Sequence, residues 1–128
     1  MAQHQSRPVD LQMLKFGWPV TAIASITHRI SAVIIWFGLG IGLATFHYAS
    51  QSEAQFETVA ELLSHNFLAQ FVLWGILSAF GYYCMGTIKH LIQDMGYFEE
   101  FESGKLISWV AILSGIGMSV LAGVYVWA

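Results

Sequence analysis

Ser25-Ile-Thr-His-Arg29 sets a hydroxyl, an imidazole and a guanidinium just ahead of a stretch, Ile30 to Ser52, that contains no Asp, Glu, Lys or Arg. Such side chains donate hydrogen bonds to carbonyl or carboxylate oxygens and stabilise negative charge that develops there. Ser25 and Arg29 are four residues apart, so on a helix they stand one turn apart on neighbouring parts of one surface. A second polar set, Tyr83, Thr87, His90 and Asp94, follows steps of four, three and four, and so shares a helix face. With about 1.5 Å of rise per residue, Tyr83 lies roughly 10 Å deeper in the span than His90. Polar and ionisable groups inside an apolar span are costly and by default mark a functional site.

Each of these residues also has a plainer reading. Arg29 alone would serve as a headgroup anchor whose apolar stem lies along the span. Either His28 or His90 alone would be a satisfied structural histidine. Their convergence on one membrane surface, with Ser25 beside them, is what favours a binding site. Tyr82, Tyr83 and Trp74 are open to a packing role, and Trp18, Trp36, Trp109 and Trp127 read as aromatics of the interfacial belts. His47 and His65 fall near the opposite interface, where water solvates them. Gly38, Gly40 and Gly42, and Gly115, Gly117 and Gly123, read as points of close helix approach.

The elements that carry these groups follow from composition. Of the 128 residues, 56% are apolar and only 10% charged, far from the roughly one quarter charged of soluble domains. The expected fold is all-α, a single membrane-anchor domain over 1–128 with three transmembrane helices at approximately 20–48, 66–89 and 106–128, each long enough for about 30 Å of hydrocarbon. Pro19 suits a helix start near Trp18 to Val20. Between the first two spans, Glu53, Glu57 and Glu61 alternate with Phe56, Val59, Ala60 and Leu63 at helical spacing, which predicts a short amphipathic helix at the interface. Asp94 to Lys105, with Gly96, Glu99, Glu100, Glu102 and Gly104, reads as a charged loop. Residues 1–15 lack the apolar core of a secretory signal and are expected to stay attached. So small a chain implies a partner. The single cysteine, Cys84, supports neither a disulfide framework nor an iron–sulfur cluster.

Basic residues set the orientation. Arg7, Lys15 and Arg29 precede or open the first span, Lys89 and Lys105 flank the second loop, and the first loop and the C-terminus have none. The positive-inside tendency therefore places the N-terminus in the cytoplasm and Ala128 outside. The start of the first span and the end of the second then share a surface, where Ser25, His28 and Arg29 can face Lys89, His90 and Asp94. A carrier or channel is disfavoured, because three spans show no charged or broken-helix site at the midplane.

Arg7-Pro-Val, Ser25-Ile-Thr-His-Arg29-Ile-Ser31 and then Lys89-His90, Asp94 and Gly96 together resemble the cytochrome b subunit of succinate dehydrogenase, the membrane anchor of respiratory complex II, over nearly the whole chain. The resemblance implies partnership with a second small membrane anchor, an iron–sulfur subunit and a flavoprotein subunit. It also implies ubiquinone reduction at the cytoplasmic face of a bacterial inner membrane, as part of electron transport and the tricarboxylic acid cycle, with haem b between the two anchors. FAD and the iron–sulfur clusters would belong to the partner subunits, and no catalytic residue to this chain alone. Carried over by position, Ser25 and Arg29 match the quinone-site residues, and His28, Arg29 and His90 the haem pocket and propionates. Two positions depart from the family pattern. Tyr83 occupies the place of the axial haem histidine, and Lys89 replaces an arginine, keeping the charge but losing the planar fork. The alternatives are a fumarate reductase anchor that uses menaquinol, and a purely structural anchor with Ser25 and Arg29 turned to lipid headgroups.

Overall fold

The computed structural model describes residues 19–128, so Arg7, Lys15 and Trp18 lie outside the described residues. Four helices follow in order: α1 (Val20–Ala49), α2 (Glu53–His65), α3 (Phe67–Asp94) and α4 (Phe101–Trp127). Three of them, α1, α3 and α4, are long and apolar enough to cross a membrane. The described residues contain no strand. The 30 residues of α1 extend about 45 Å, more than the hydrocarbon thickness, which leaves enough length for its first turns, with Ser25 and Arg29, to reach the interface.

Local chemistry sets the helix ends. Pro19 is extended (φ −63°, ψ 146°), and its carbonyl accepts from the N–H groups of Ala22 and Ile23 at 3.0 and 3.1 Å, which starts α1 without needing the missing proline N–H. The Ser52 side chain accepts from the Gln55 N–H at 3.1 Å, capping α2. Asn66 alone separates α2 from α3. Its extended backbone breaks the helix while its side chain accepts from the Ala69 N–H at 3.0 Å to begin the next one. α2 buries no residue; Glu53 in its first turn and His65 in its last suit the helix dipole, as expected for a short helix along the membrane surface.

The link between α3 and α4 is shorter than the charge pattern predicts. α3 continues past Lys89 to Asp94, and α4 starts at Phe101, so Glu102, Gly104 and Lys105 are helical. An acidic residue in a first turn favours the helix dipole. Gly104 is a buried packing position, and Lys105 sits 5.5 Å above the Phe101 ring. The reversal is made at Gly96, whose φ of +91° a residue with a Cβ rarely adopts.

α3 and α4 pack most extensively, and small residues allow it. A Cβ at Gly115 would overlap the Tyr82 ring, and one at Gly81 would lie 2.8 Å from Met118 Cβ. Trp74 Nε1 donates to the Ser119 carbonyl at 2.9 Å, the Ser78 and Ser119 hydroxyls pair at 2.7 Å, and Trp127 Nε1 donates to Gln70 Oε1 at 3.1 Å. Gln70, Trp74, Ser78 and Tyr82, four residues apart, thus form a polar stripe along the α3–α4 seam. Of the glycines read as contact points, Gly38 meets Ile76 and Gly123 meets Trp74, but Gly40, Gly42 and Gly117 face open space. Trp36 stands near the middle of α1 and is 74% exposed, which places it on the outer surface of the bundle at midspan rather than in an interfacial belt.

Candidate functional site

The antiparallel run of α1 against α3 brings the start of one beside the end of the other, and the polar groups meet there. His28 Nε2 lies 3.1 Å from Thr87 Oγ1. The His28 ring stacks on Tyr83 at 4.4 Å between centroids and 8° between planes, and it meets His90 edge-on at 5.1 Å. Three of the four residues spaced along the α3 face therefore close around one imidazole from α1. Gly86 makes this possible, since a Cβ there would come within 2.5 Å of His28 Cδ2. Asp94, the fourth, ends α3 and is exposed.

Ser25 and Arg29 take a different direction. The buried stripe of α1 is Val20, Ala24, Ser31 and Gly38. At about 100° per residue, Arg29 projects roughly half a turn away from that stripe, and it is exposed, with Ser25 half-buried beside it. The expected meeting of Ser25, His28 and Arg29 with Lys89, His90 and Asp94 is thus realised only by His28 and His90. Ser25 and Arg29 occupy the same end of the bundle but present donors away from α3 and α4.

Lys89 also departs from expectation. It is only 6% exposed and lies on the α3 stripe that contains Tyr82 and Gln93 rather than on the His90 face. The pairing of Tyr82 with Gly115 and of Gln93 with Gly104 sets it opposite Ser108, which is fully buried and whose hydroxyl has no partner among the described residues. A lysine stem packed along an apolar seam is favourable, and this position takes Lys89 out of the imidazole cluster.

The imidazole cluster suits the carboxylates of a haem better than its iron. His28 and His90 can each donate to a propionate, and Thr87 adds a hydroxyl. Position 83 offers a phenol whose ring lies flat against His28, not an imidazole. No group of three or more His, Cys, Asp or Glu side chains among the described residues could hold a free metal ion.

Three helices long and apolar enough to cross a membrane, with a polar cluster at one end of the bundle, define a small helical membrane protein. The family model described as succinate dehydrogenase/fumarate reductase transmembrane subunit matches residues 3–121. The chain is 33% identical to the succinate dehydrogenase cytochrome b556 subunit of Coxiella burnetii, over 94% of this chain and 97% of that protein. It is 26% identical to the cytochrome b556 subunit of Paracoccus denitrificans, over 91% and 88% of the two chains. Against the mitochondrial cytochrome b560 subunit of Sus scrofa it is 24% identical, over 91% and 72%. The chain belongs to the family of succinate dehydrogenase/fumarate reductase transmembrane subunits. It is a cytochrome b membrane subunit of the succinate dehydrogenase kind, and it works as part of an oxidoreductase complex.

Sequence reading missed the pairing of Thr27 with Tyr82 and the burial of Lys89. The four-residue spacing of Gln70, Trp74, Ser78 and Tyr82 was the available signal for the polar seam.

Proposed function

We propose that the chain carries part of the ubiquinone-reduction site at the cytoplasmic face of a bacterial inner membrane, in a complex with a second small anchor, an iron–sulfur subunit and a flavoprotein subunit. The outward direction of Ser25 and Arg29 at the end of the bundle that holds the imidazole cluster is the observation that supports this best. Donors turned away from their own bundle are free to meet an acceptor that another chain helps to enclose. Ser25 Oγ donates to one carbonyl oxygen of the quinone. The Arg29 guanidinium stabilises the negative charge that grows on that oxygen as two electrons arrive. The two protons come from the aqueous face on which both residues lie. Electrons enter from clusters in the partner subunits, since this chain's one cysteine cannot hold a cluster.

Haem b would be held beside this site through its carboxylates, with His28 and His90 as donors to the propionates and Arg29 available to one of them from the outer face of α1. When bound, it supplies a one-electron centre of the complex. His28 orients the pocket, because its pairing with Thr87 and stacking on Tyr83 fix the imidazole plane.

Gentle purification through a tag on this chain is expected to recover the flavoprotein and iron–sulfur polypeptides with succinate-dependent ubiquinone reduction. Recovery of the chain with no redox partner would contradict the proposal. The orientation has its own test: a reporter fused after Ala128 is expected outside the cytoplasm, and cytoplasmic labelling of that end would separate the site from the surface where protons and partners are expected.

A further inference from the structure

Two side-chain hydrogen bonds join α1 to α3 among the described residues, and they come from consecutive residues of α1. Thr27 pairs with Tyr82, and His28 with Thr87. At about 100° per residue, Thr27 and His28 lie on opposite sides of the buried stripe that carries Ala24 and Ser31. By the same count Tyr82 and Thr87 stand about 140° apart around α3. α1 is therefore held at two points of its circumference, and a roll in either direction stretches one of the two bonds. The close approaches at Gly38 and Gly86 set which flank of α1 meets α3, and the paired bonds hold the finer angle.

Tyr82 is itself fixed from the far side. Its ring lies where a Cβ at Gly115 would fall, so α4 backs it, and with Thr27, Ser31, Ser78 and Ser119 it lines the groove between the three spans. Thr27 Oγ1 donates its one proton to the Ile23 carbonyl at 2.6 Å, so the phenol is the donor in the Thr27–Tyr82 pair. A polar group inside a span is costly to leave without a partner, which holds the pair together. Side chains end about 5–6 Å from a helix axis, so a roll of about 20° would carry the ends of Ser25, His28 and Arg29 by about 2 Å. A misplacement of that size at a reacting group is large enough to lower a rate.

We propose that Tyr82 is a positioning residue: backed by α4 and bonded to Thr27, its hydroxyl fixes the roll of α1 that turns His28 into the imidazole cluster and Ser25 and Arg29 out of the bundle. It acts through α1 and touches no reacting atom. The control of the roll rests on the packing alone; its effect on activity rests on the Ser25 and Arg29 reading above.

The test pairs a distance with an activity. Val33→Cys on α1 and Leu113→Cys on α4, at two exposed positions, carry spin labels on the full chain in nanodiscs, with Cys84→Ser removing the native thiol. Tyr82→Phe keeps the ring and deletes the donor, while Thr27→Val keeps the shape and deletes the acceptor. Each is expected to add a second distance between the labels as α1 pivots on the remaining His28–Thr87 bond, shifting the ratio of the two populations by about threefold, the worth of an interhelical hydrogen bond in a membrane. The double variant, which leaves no unpaired hydroxyl, should shift it no further than either single one. Ser31→Ala deletes a hydroxyl of the same groove that bonds only within α1, and should leave the distance as it was. In the intact complex, Tyr82→Phe and Thr27→Val should each lower ubiquinone reduction relative to dye reduction by about threefold, again with no further loss in the double variant. Distances untouched by both substitutions, or changed equally by Ser31→Ala, would overturn the proposal and leave the pair a packing contact. A changed distance with quinone reduction lowered only by Arg29→Leu would overturn the positioning role. Quinone reduction unchanged in Arg29→Leu as well, with the distance shifted, would instead fault the Ser25 and Arg29 reading and leave the control of the roll supported.

Discussion

The intact complex is expected to show a b-type haem whose ligation is not the bis-histidine arrangement of its family. The reason lies at position 83, where a phenol stands in place of an imidazole and its ring is stacked flat on His28. A neutral tyrosine hydroxyl is a poor ligand, while a phenolate binds ferric iron well and favours the oxidised state. A haem bound there would receive no histidine from this chain at position 83. A reduced-minus-oxidised spectrum should show haem b, and low-temperature electron paramagnetic resonance should lack the low-spin bis-histidine signal. Tyr83→His should introduce that signal. Its presence in the unmodified complex would contradict the assignment, and no haem absorption at all would remove the cofactor from the site.

The second large effect concerns Ser25 and Arg29. Ser25→Ala deletes a donor to the quinone carbonyl, and Arg29→Leu deletes the cation that faces developing charge. Losing a hydrogen bond to a charged group costs about 1.5–3 kcal/mol. If it acts in the transition state, that is roughly one to two orders of magnitude in rate. Neither residue contributes to the buried stripe of α1, so the packing of this chain should survive both substitutions. Gly86 offers a contrast. Any larger side chain there displaces His28, so damage at that position would mix pocket and packing.

The three spans are legible from the uncharged runs, and the amphipathic α2 from its alternating glutamates, because hydropathy and helical spacing act locally. Helix ends inside the charged α3–α4 link are not legible, because hydrogen bonding continues through Lys89 and resumes before Glu102 where hydropathy has already changed. The imidazole cluster is visible as a face on α3, since its spacing is a property of one helix. Which flank of α1 meets that face depends on how the helices are rotated against one another. That rotation is set by close approaches such as His28 to Gly86 and Ile76 to Gly38, which no single segment reveals. Hence His28 joins His90 as expected, while Ser25 and Arg29 turn away. The hydroxyls at the α1–α3–α4 groove read singly as ordinary span residues, and only the packing collects them.

The most direct test of the quinone site is the ratio of two activities in one preparation of the Arg29→Leu complex: succinate-dependent ubiquinone reduction, and succinate oxidation by an artificial dye that bypasses the membrane site. Dye reduction should match the unmodified complex while ubiquinone reduction falls by roughly ten- to a hundredfold, the cost of a lost charged hydrogen bond. An unchanged ratio would mean that Arg29 only anchors α1 at the membrane surface.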